Sequence, residues 1–385
     1  AGSAGAEEAG RARLHDGRPA PPMHRRTRGA LGVAAPCLVA PLQQGGFGLA
    51  ARRSEPERVT QEPWPSAPDD PRGWSGLEVS EACGTFWAIS DGSRYAIGRL
   101  TREPGGRLAG ADLVERGRLR MPDGTGIEEP WHDAEGLARG ADGSFAVSFE
   151  WENRVWRYPT LSSAPQAVAP LPEFENFGNT GLEGVALDGT GVVIAFRERP
   201  WVLSRKTVPY MLGPQDDWSE GRALPRAGLW SVVGADFGPD GRLYLLERRF
   251  RGLGFATRIR SFDPAGDAEQ LGRVEYDAPM GRHGNLEGIA LWQDGAGQLR
   301  ALLVSDDNRL AIQRAVLVEV VRSPLAGAGG GASSPTAPDA TVRPDSSAEH
   351  GTTTKCPASL SPASSPWLRS SSRPTSWCSI CWGSG

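Results

Sequence analysis

The sequence predicts an all-β fold built from repeated four-stranded units, and three observations support this. The chain contains 50 glycines and 32 prolines with little helical periodicity, which favours many short strands and turns. A motif best seen as Asn-Leu-Glu-Gly-Ile-Ala at 285–290 recurs about every fifty residues. Enough strand-like sequence for about four strands follows each copy. Such a period is typical of β-propeller blades, and five units are countable.

The repeats keep one internal order, in which the motif is followed by a turn and then by an apolar run with an acidic residue at or beside its end. The motif copies lie at 75–79, 133–138, 180–186, 234–237 and 285–290, and the following runs lie at 86–91, 145–150, 192–196, 243–247 and 299–304. Turn sequences such as Asp142-Gly143 and Asp240-Gly241 separate motif and run, as expected for hairpins. A sixth blade would require more than one strand from the segments that flank the repeats.

The regions outside the repeats have a different composition, which predicts three parts for the chain. Residues 1–44 include Met23, a basic stretch at 24–28 and a modest apolar stretch, and this order resembles a secretory signal. We therefore expect a periplasmic or secreted protein. The predicted propeller covers 45–322. Residues 323–385 are rich in Ser, Pro, Ala, Gly and Thr, so we expect a disordered tail, whose end resembles out-of-frame translation.

Composition argues against several classes of function. The net charge of −4 provides no basic surface for nucleic acid. No run of 18 apolar residues occurs, so the sequence predicts no membrane-spanning helix. Only Cys83 of the five cysteines lies within the repeats, which argues against a disulfide framework. No nucleophile elbow, zinc-protease motif or phosphate-binding glycine loop is present. We expect a monomer that acts on or binds a small molecule.

The acidic residues of the motif are the first candidate site. If the repeats share one structure, five acids lie at equivalent points around the channel: Glu78, Glu135, Glu183, Asp236 and Glu287. The second strands add Asp91, Glu150, Glu198, Glu247 and Asp306, and oxygen donors precede three motif acids at Asp133, Asn179 and Asn285. Neighbouring carboxylates raise one another's pKa, and a hard cation relieves this repulsion.

Calcium is the cation expected for such a set, because it takes six to eight oxygen ligands in flexible geometry. The residues predicted to hold it are Glu78, Asp91, Asp133, Glu135, Glu150, Asn179, Glu183, Asp236, Glu247, Asn285, Glu287 and Asp306. A structural alternative stays open for each acid. In that alternative, the carboxylate accepts hydrogen bonds from backbone amides and joins one blade to the next.

Two histidines and a group of arginines complete the candidate site. His132 and His283 are the only histidines within the repeats, and each shortly precedes a motif acid. We expect them, with Glu135, Glu183 and Glu287, to supply general acid or base catalysis. Four arginines follow the second strands, and they could either pair with the acids or hold a phosphate ester in a bidentate fashion. These arginines are Arg197, Arg199, Arg248 and Arg249.

The motifs at 133–138, 179–186 and 285–290 resemble repeats of the phytase-like domain, also called the esterase-like activity of phytase family. Two later blocks, 234–247 and 304–308, are also similar to that family, so the resemblance covers roughly residues 73–322. It implies a β-propeller, export in bacteria and phosphoesterase activity attributed to repeated Glu and Asp residues. Asp236 departs from the pattern because its side chain is one methylene shorter than glutamate.

Three functions are compatible with these features. The first is a metal-assisted hydrolase of phosphate or related esters, in which a cation polarises the ester oxygen. The second is a non-catalytic exported propeller that binds calcium or another ligand. The third is a lactonase or carboxylesterase of the calcium-propeller type.

Overall fold

The computed structural model describes residues 56–65, 72–80, 84–128, 132–150, 153–170, 181–198, 204–250, 252, 254–267, 270–307 and 315–322. Every regular element in these ranges is a strand, and none of them contains a helix able to cross a membrane. The predicted segments 1–44 and 323–385 lie outside the described residues, so their assignment stays a prediction.

Twenty-two strands are present in the described ranges. The first strand, β1 (Arg58–Pro63), precedes blade I, which contains β2 (Trp74–Val79), β3 (Thr85–Ser90), β4 (Arg94–Arg102) and β5 (Leu108–Arg118). Blade II contains β6 (Ala134–Arg139), β7 (Phe145–Phe149), β8 (Arg154–Tyr158) and β9 (Ala167–Pro170). Blade III begins with β10 (Leu182–Leu187) and β11 (Val193–Arg197). Its outer strands are β13 (Tyr210–Leu212) and β14 (Trp218–Glu220). The short β12 (Lys206–Thr207) and β15 (Leu224–Pro225) flank these outer strands in sequence and form a separate two-stranded sheet.

Blade IV contains β16 (Ser231–Phe237), β17 (Leu243–Phe250), β18 (Phe255–Phe262) and β19 (Arg273–Ala278). Blade V contains β20 (Asn285–Gln293), β21 (Leu299–Asp306) and β22 (Val316–Arg322), and β1 completes it as the outer strand. The innermost strands β2, β6, β10, β16 and β20 contact one another in that order, and β20 contacts β2. The described chain is therefore a five-bladed propeller, as the sequence predicts, and the lead-in strand belongs to blade V.

Blade V joins the two ends of the propeller. β1 pairs antiparallel with β22, with Thr60 opposite Glu319. Glu319 is fully buried, and its carboxylate accepts hydrogen bonds from Arg102 of blade I at 2.7 Å and Arg300 of blade V at 2.8 Å. Breaking a buried ion pair typically costs about 3–5 kcal/mol, so this contact fastens the last blade to the first.

The hydrophobic core is divided among the interfaces between blades. Five clusters of buried side chains are present, and each combines residues of two neighbouring blades. Between blades I and V, for example, Trp74 and Phe86 pack in one cluster with Leu302 and Leu317. The interface position explains the short apolar runs of the sequence, because both faces of a central strand are covered.

The inner strands come closest at five glycines, which we call the waist: Gly76, Gly136, Gly184, Gly234 and Gly288. A Cβ atom added at Gly136 would lie 2.3 Å from the carbonyl oxygen of Glu183 on the next inner strand. One added at Gly234 would lie 2.6 Å from the Glu287 carbonyl oxygen. Each waist glycine also lies at or beside an irregularity in the pairing of its inner strand with the second strand. Only glycine permits this approach of two backbones.

Candidate active site at the channel mouth

The waist divides the five motif acids into two sets. Glu135, Glu183 and Glu287 immediately precede a waist glycine, whereas Glu78 and Asp236 lie two residues after one. The waist glycines mark equivalent positions on the five inner strands. Acids that precede a waist glycine therefore lie towards one end of the channel, and acids that follow one lie towards the other end. The prediction of one ring of five equivalent acids is therefore wrong. The motif copies look alike when aligned on the acid, but the strands align on the glycine.

The predicted acids at the ends of the second strands require a similar correction in blade IV. Asp91, Glu150 and Glu198 directly follow the second strands of blades I to III, and Asp306 ends that of blade V. The equivalent residue of blade IV is Arg248, because Ser231 pairs with it as Asn285 pairs with Asp306.

Glu247 lies one residue earlier and belongs to a buried ion-pair network. Its carboxylate accepts hydrogen bonds from Arg258 at 2.6 Å and from Arg260 at 2.6 and 2.7 Å. Burial alone would raise the pKa of Glu247, but Arg260 and Arg258 hold it below its ordinary value. The prediction that Glu247 is a metal ligand is wrong, because arginines occupy its oxygens.

The remaining residues form one acidic end of the channel, which we call the mouth. Its carboxylates are Asp91, Asp133, Glu135, Glu150, Glu183, Glu198, Glu287 and Asp306. Arg248 neutralises part of this charge. Its guanidinium donates hydrogen bonds to Asn285 Oδ1 at 2.8 Å, to Glu287 Oε1 and to Glu198 Oε1 at 3.3 Å. Asn285 in turn donates to Glu287 Oε1 at 2.8 Å.

The opposite side of the mouth has a different composition. Oxygen atoms of Asp133, Glu135 and Glu150 lie within 4.8 Å of one another. In the described ranges, no arginine forms an ion pair with Asp133 or Glu135. Asp133 also has a φ of 89°, a region that costs a non-glycine residue about 1–3 kcal/mol and that is enriched at functional sites. This cluster of hard oxygen donors fits a divalent cation such as calcium or magnesium.

Burial and mutual repulsion shift the ionisation of the mouth glutamates. Burial and the carboxylates of Glu183 and Asp133 raise the pKa of Glu135 well above its ordinary value. Burial also raises the pKa of Glu183, which Arg248 partly offsets. The pKa of Glu287 is raised to about 7 by burial, although Arg248 opposes the shift. Glu287 therefore exchanges a proton readily near neutral pH, and the raised pKa values of Glu135 and Glu183 indicate that their charged forms favour a partner such as a bound cation.

The two histidines have different surroundings. His132 lies at the mouth, with Nδ1 3.2 Å from the Asp91 carbonyl oxygen. His283 is buried, with Nε2 2.5 Å from the Tyr276 hydroxyl and Nδ1 2.6 Å from Gln61 Oε1 on β1. In the neutral ring, Nδ1–H donates to the Gln61 oxygen and Nε2 accepts from Tyr276. The expected catalytic role of His283 is wrong, because both nitrogens are engaged and neither contacts a mouth carboxylate.

We expect His283 to make stability depend on pH. Burial lowers its pKa to about 4, whereas an exposed histidine in the unfolded chain titrates near 6.5. Between these pH values the unfolded state binds a proton that the folded state excludes, so this contribution falls as the pH decreases. Relative to a His283→Gln variant, the wild-type protein should lose about 2 kcal/mol between pH 7 and pH 4. Urea unfolding of both proteins across this range measures the difference, and parallel pH profiles would contradict the assignment.

Of the four predicted arginines, Arg248 is the one that the structure places in contact with mouth residues. The Arg249 side chain makes no hydrogen bond or ion pair within the described ranges. Arg197 ends β11 opposite Leu182. Asn179 and Arg199 lie outside the described residues, so their predicted roles stay predictions.

Glu78 and Asp236, at the far end, bind backbone amides of the next blade. Glu78 Oε1 accepts from the Arg139 amide at 3.0 Å, and Asp236 Oδ2 accepts from the Leu291 amide at 2.6 Å. Burial and Asp236 raise the pKa of Glu78 well above its ordinary value, and burial raises that of Asp236 to about 7. These contacts match the structural alternative, and the two acids do not join the mouth cluster.

The family described as "Phytase-like: Esterase-like activity of phytase" matches residues 71–309, which is more than half of the chain. The chain belongs to this phytase-like family. The match begins just before β2 and extends just past β21, so it includes every mouth residue of this phytase-like propeller.

Solved structures also resemble the phytase-like chain at low identity. Selenomethionine-substituted virginiamycin B lyase from Staphylococcus aureus is 12% identical, with 68% of this chain and 99% of that chain covered and a TM-score of 0.35. The calcium-binding protein regucalcin from Agrobacterium tumefaciens is 11% identical, with 69% and 94% covered and a TM-score of 0.38. At these values neither likeness supports an argument about function. No curated protein matches the sequence.

Proposed function

We propose that this protein hydrolyses phosphate or related esters with the help of a divalent cation at the mouth, and that calcium is the natural cation. The observation that supports the proposal best is the convergence of Asp133, Glu135 and Glu150 within 4.8 Å. The name of the family, which refers to phytase and to esterase-like activity, supports the substrate class.

The residues of the mouth divide into two chemical roles in this proposal. Asp133, Glu135 and Glu150 would hold the cation, which would polarise the ester oxygen and acidify water when bound. Glu287 has a pKa of about 7, so it can accept a proton from water or donate one to a leaving group near neutral pH. Arg248 fixes the Glu287 carboxylate, and His132 at the rim is a second candidate base.

The proposal is tested by ester hydrolysis with the full chain. We expect turnover of p-nitrophenyl phosphate or bis-p-nitrophenyl phosphate that disappears with a chelator and returns with calcium. Glu135→Gln should lower kcat/KM by about 100-fold, because it removes a charged ligand while keeping the shape of the side chain. Glu103→Gln is the control, since Glu103 is an exposed carboxylate paired with Arg107 far from the mouth, and it should leave turnover unchanged.

The same experiment separates the two alternative functions. Hydrolysis of p-nitrophenyl acetate without hydrolysis of either phosphate would indicate a carboxylesterase or lactonase. Calcium uptake that is lost in Glu135→Gln, with no turnover of any ester, would indicate a binding propeller. Turnover that survives both chelation and Glu135→Gln would contradict the proposal.

A further inference from the structure

One β-hairpin extends beyond the rim of the mouth. The second strand of blade IV, β17, continues for two residues past Arg248, which occupies the mouth position of that blade. In the described ranges, the other four second strands end at their mouth acid or one residue before it. At about 3.3 Å per residue, β17 and its partner β18 therefore extend roughly 7 Å further than the strands of the other blades.

The end of this hairpin has an apolar surface, which we call the apolar rim and which consists of Phe250, Phe255 and Met280. Phe250 and Phe255 lie opposite each other in the strand pairing, with ring centroids 5.3 Å apart. Met280 lies in the loop before β20, where the next amide, of Gly281, donates a hydrogen bond to the Phe255 carbonyl oxygen at 3.0 Å. Phe250 is 62% exposed and Met280 is 44% exposed, and they are two of the four large apolar residues exposed in the described chain. Such clustering marks a binding surface, whereas single exposed apolar residues are ordinary.

The apolar rim is continuous with the mouth. The guanidinium carbon of Arg248 lies 5.3 Å from the centroid of the Phe255 ring, and the same guanidinium donates a hydrogen bond to Glu287. The space between the proposed acid–base residue and the aromatic pair is therefore spanned by one guanidinium group. A substrate that places its ester group beside Glu287 has its organic group next to the rim.

The charges beside the rim suit an anionic ester that has an apolar organic group. Arg248 and Arg249 are consecutive on β17, and the Arg249 side chain makes no hydrogen bond or ion pair in the part of the chain that the structure describes. The two mouth carboxylates that Arg248 contacts, Glu198 and Glu287, are partly neutralised by it. A polyol group would place hydroxyls against aromatic rings that offer them no hydrogen-bond partner, which is unfavourable. The rim can therefore distinguish esters by their organic group.

We propose that the apolar rim binds the organic group of the ester that the mouth hydrolyses, so that the preferred substrates are phosphate esters of aromatic alcohols rather than of polyols. This inference rests on the proposed function and adds the substrate class to it. The organic group packs against Phe250 and Phe255 in the offset or edge-to-face geometry that aromatic rings favour, and it covers apolar surface that is otherwise exposed to water. Phe250 is thus a specificity-determining residue that takes no part in proton transfer.

Isothermal titration with two phosphonates, which resemble the esters but are not hydrolysed, tests this proposal without relying on turnover. With the full chain and calcium, we expect benzylphosphonate to bind about tenfold more tightly than methylphosphonate, because only benzylphosphonate has a ring to stack. Phe250→Ser should remove this difference and leave methylphosphonate binding unchanged, whereas Phe250→Tyr should keep the difference. Val114→Ser is the matched control, since Val114 is 64% exposed on β5 of blade I. Both serine variants should keep the melting temperature of the wild type, because the replaced side chains are exposed.

The outcomes at the rim can be told apart from those of the ester hydrolysis test. Equal affinity for the two phosphonates, no binding of either, or an unchanged preference in Phe250→Ser would overturn the role of the rim, whether or not the protein hydrolyses esters. A preference for benzylphosphonate that is lost in Phe250→Ser supports the rim as the site of the apolar group, and absent turnover would then count against hydrolysis alone. Sedimentation with phosphatidylglycerol vesicles, or dimerisation, that depends on Phe250 while the phosphonate preference does not, would overturn the proposal and assign the rim to a membrane or a second copy.

Discussion

Replacing Gly136 with alanine should lower the free energy of unfolding by about 3 kcal/mol or more, because the added Cβ has no space. It would lie 2.3 Å from the Glu183 carbonyl oxygen and 2.7 Å from Ser148 Oγ. The carbonyl belongs to the backbone of the next inner strand, which cannot move away without opening the ring of blades. Urea unfolding followed by tryptophan fluorescence measures the effect.

Gly105→Ala is the matched control for this substitution. Nothing lies within 4 Å of a Cβ atom added at Gly105, which is in the turn between β4 and β5. We expect its stability to stay within about 0.5 kcal/mol of the wild type. If the two variants were equally stable, the inner strands would not meet at the waist, and the assignment of equivalent positions would be wrong.

Replacing Arg248 with glutamine should be the most damaging single change at the mouth. Arg248 is the only cation in the described residues that contacts Glu287, and it also contacts Glu198 and Asn285. Its loss leaves the buried Glu287 carboxylate without this counter-charge, which typically costs about 3 kcal/mol or more. Because a bound cation can supply the missing charge, millimolar calcium should restore much of the lost stability.

Arg249→Gln is the control, since it removes the same charge from the next residue. Arg249 makes no ion pair in the described ranges, so we expect a change below about 0.5 kcal/mol. Thermal unfolding of both variants, with chelator and with calcium, provides the comparison. Equal melting temperatures for the two variants without calcium would contradict the role of Arg248 at the mouth.

The architecture could be predicted from the sequence because it depends on patterns that are local. A motif repeated about every fifty residues, with turns such as Asp240-Gly241 between apolar runs, is sufficient to count the blades. The family resemblance has the same origin and is confirmed over 71–309. The closing role of β1 is less local, because its pairing with β22 joins residues more than 250 positions apart.

The candidate site was predictable only in part, because side-chain direction depends on the pairing of strands. Glu78 and Asp236 follow their waist glycines by two residues, so they lie towards the far end although their motifs look like the others. A one-residue difference likewise places Arg248 at the mouth and Glu247 in a buried ion pair. The useful signal was the order of acid and glycine, since Gly76 precedes Glu78 whereas Gly136 follows Glu135.

His283 shows a further limit of the sequence pattern. Its distance from Glu287 along the chain suggested a place beside the acids, but the loop before β20 directs the ring to Tyr276 and Gln61. The second partner lies on β1, 222 positions away in sequence, so local spacing has no information about it. The same contact explains why the residue stabilises the fold without acting at the mouth.

A divalent cation bound at the mouth would be seen most directly in an anomalous difference map. Crystals of the full chain grown with calcium chloride, measured at long wavelength, should show one strong peak at coordination distance, about 2.3–2.6 Å, from oxygens of Asp133, Glu135 and Glu150. The peak should be absent from Glu135→Gln crystals grown in the same solution. No peak at the mouth of the wild-type protein, or a peak only beside Glu78 and Asp236 at the far end of the channel, would contradict cation binding at the mouth.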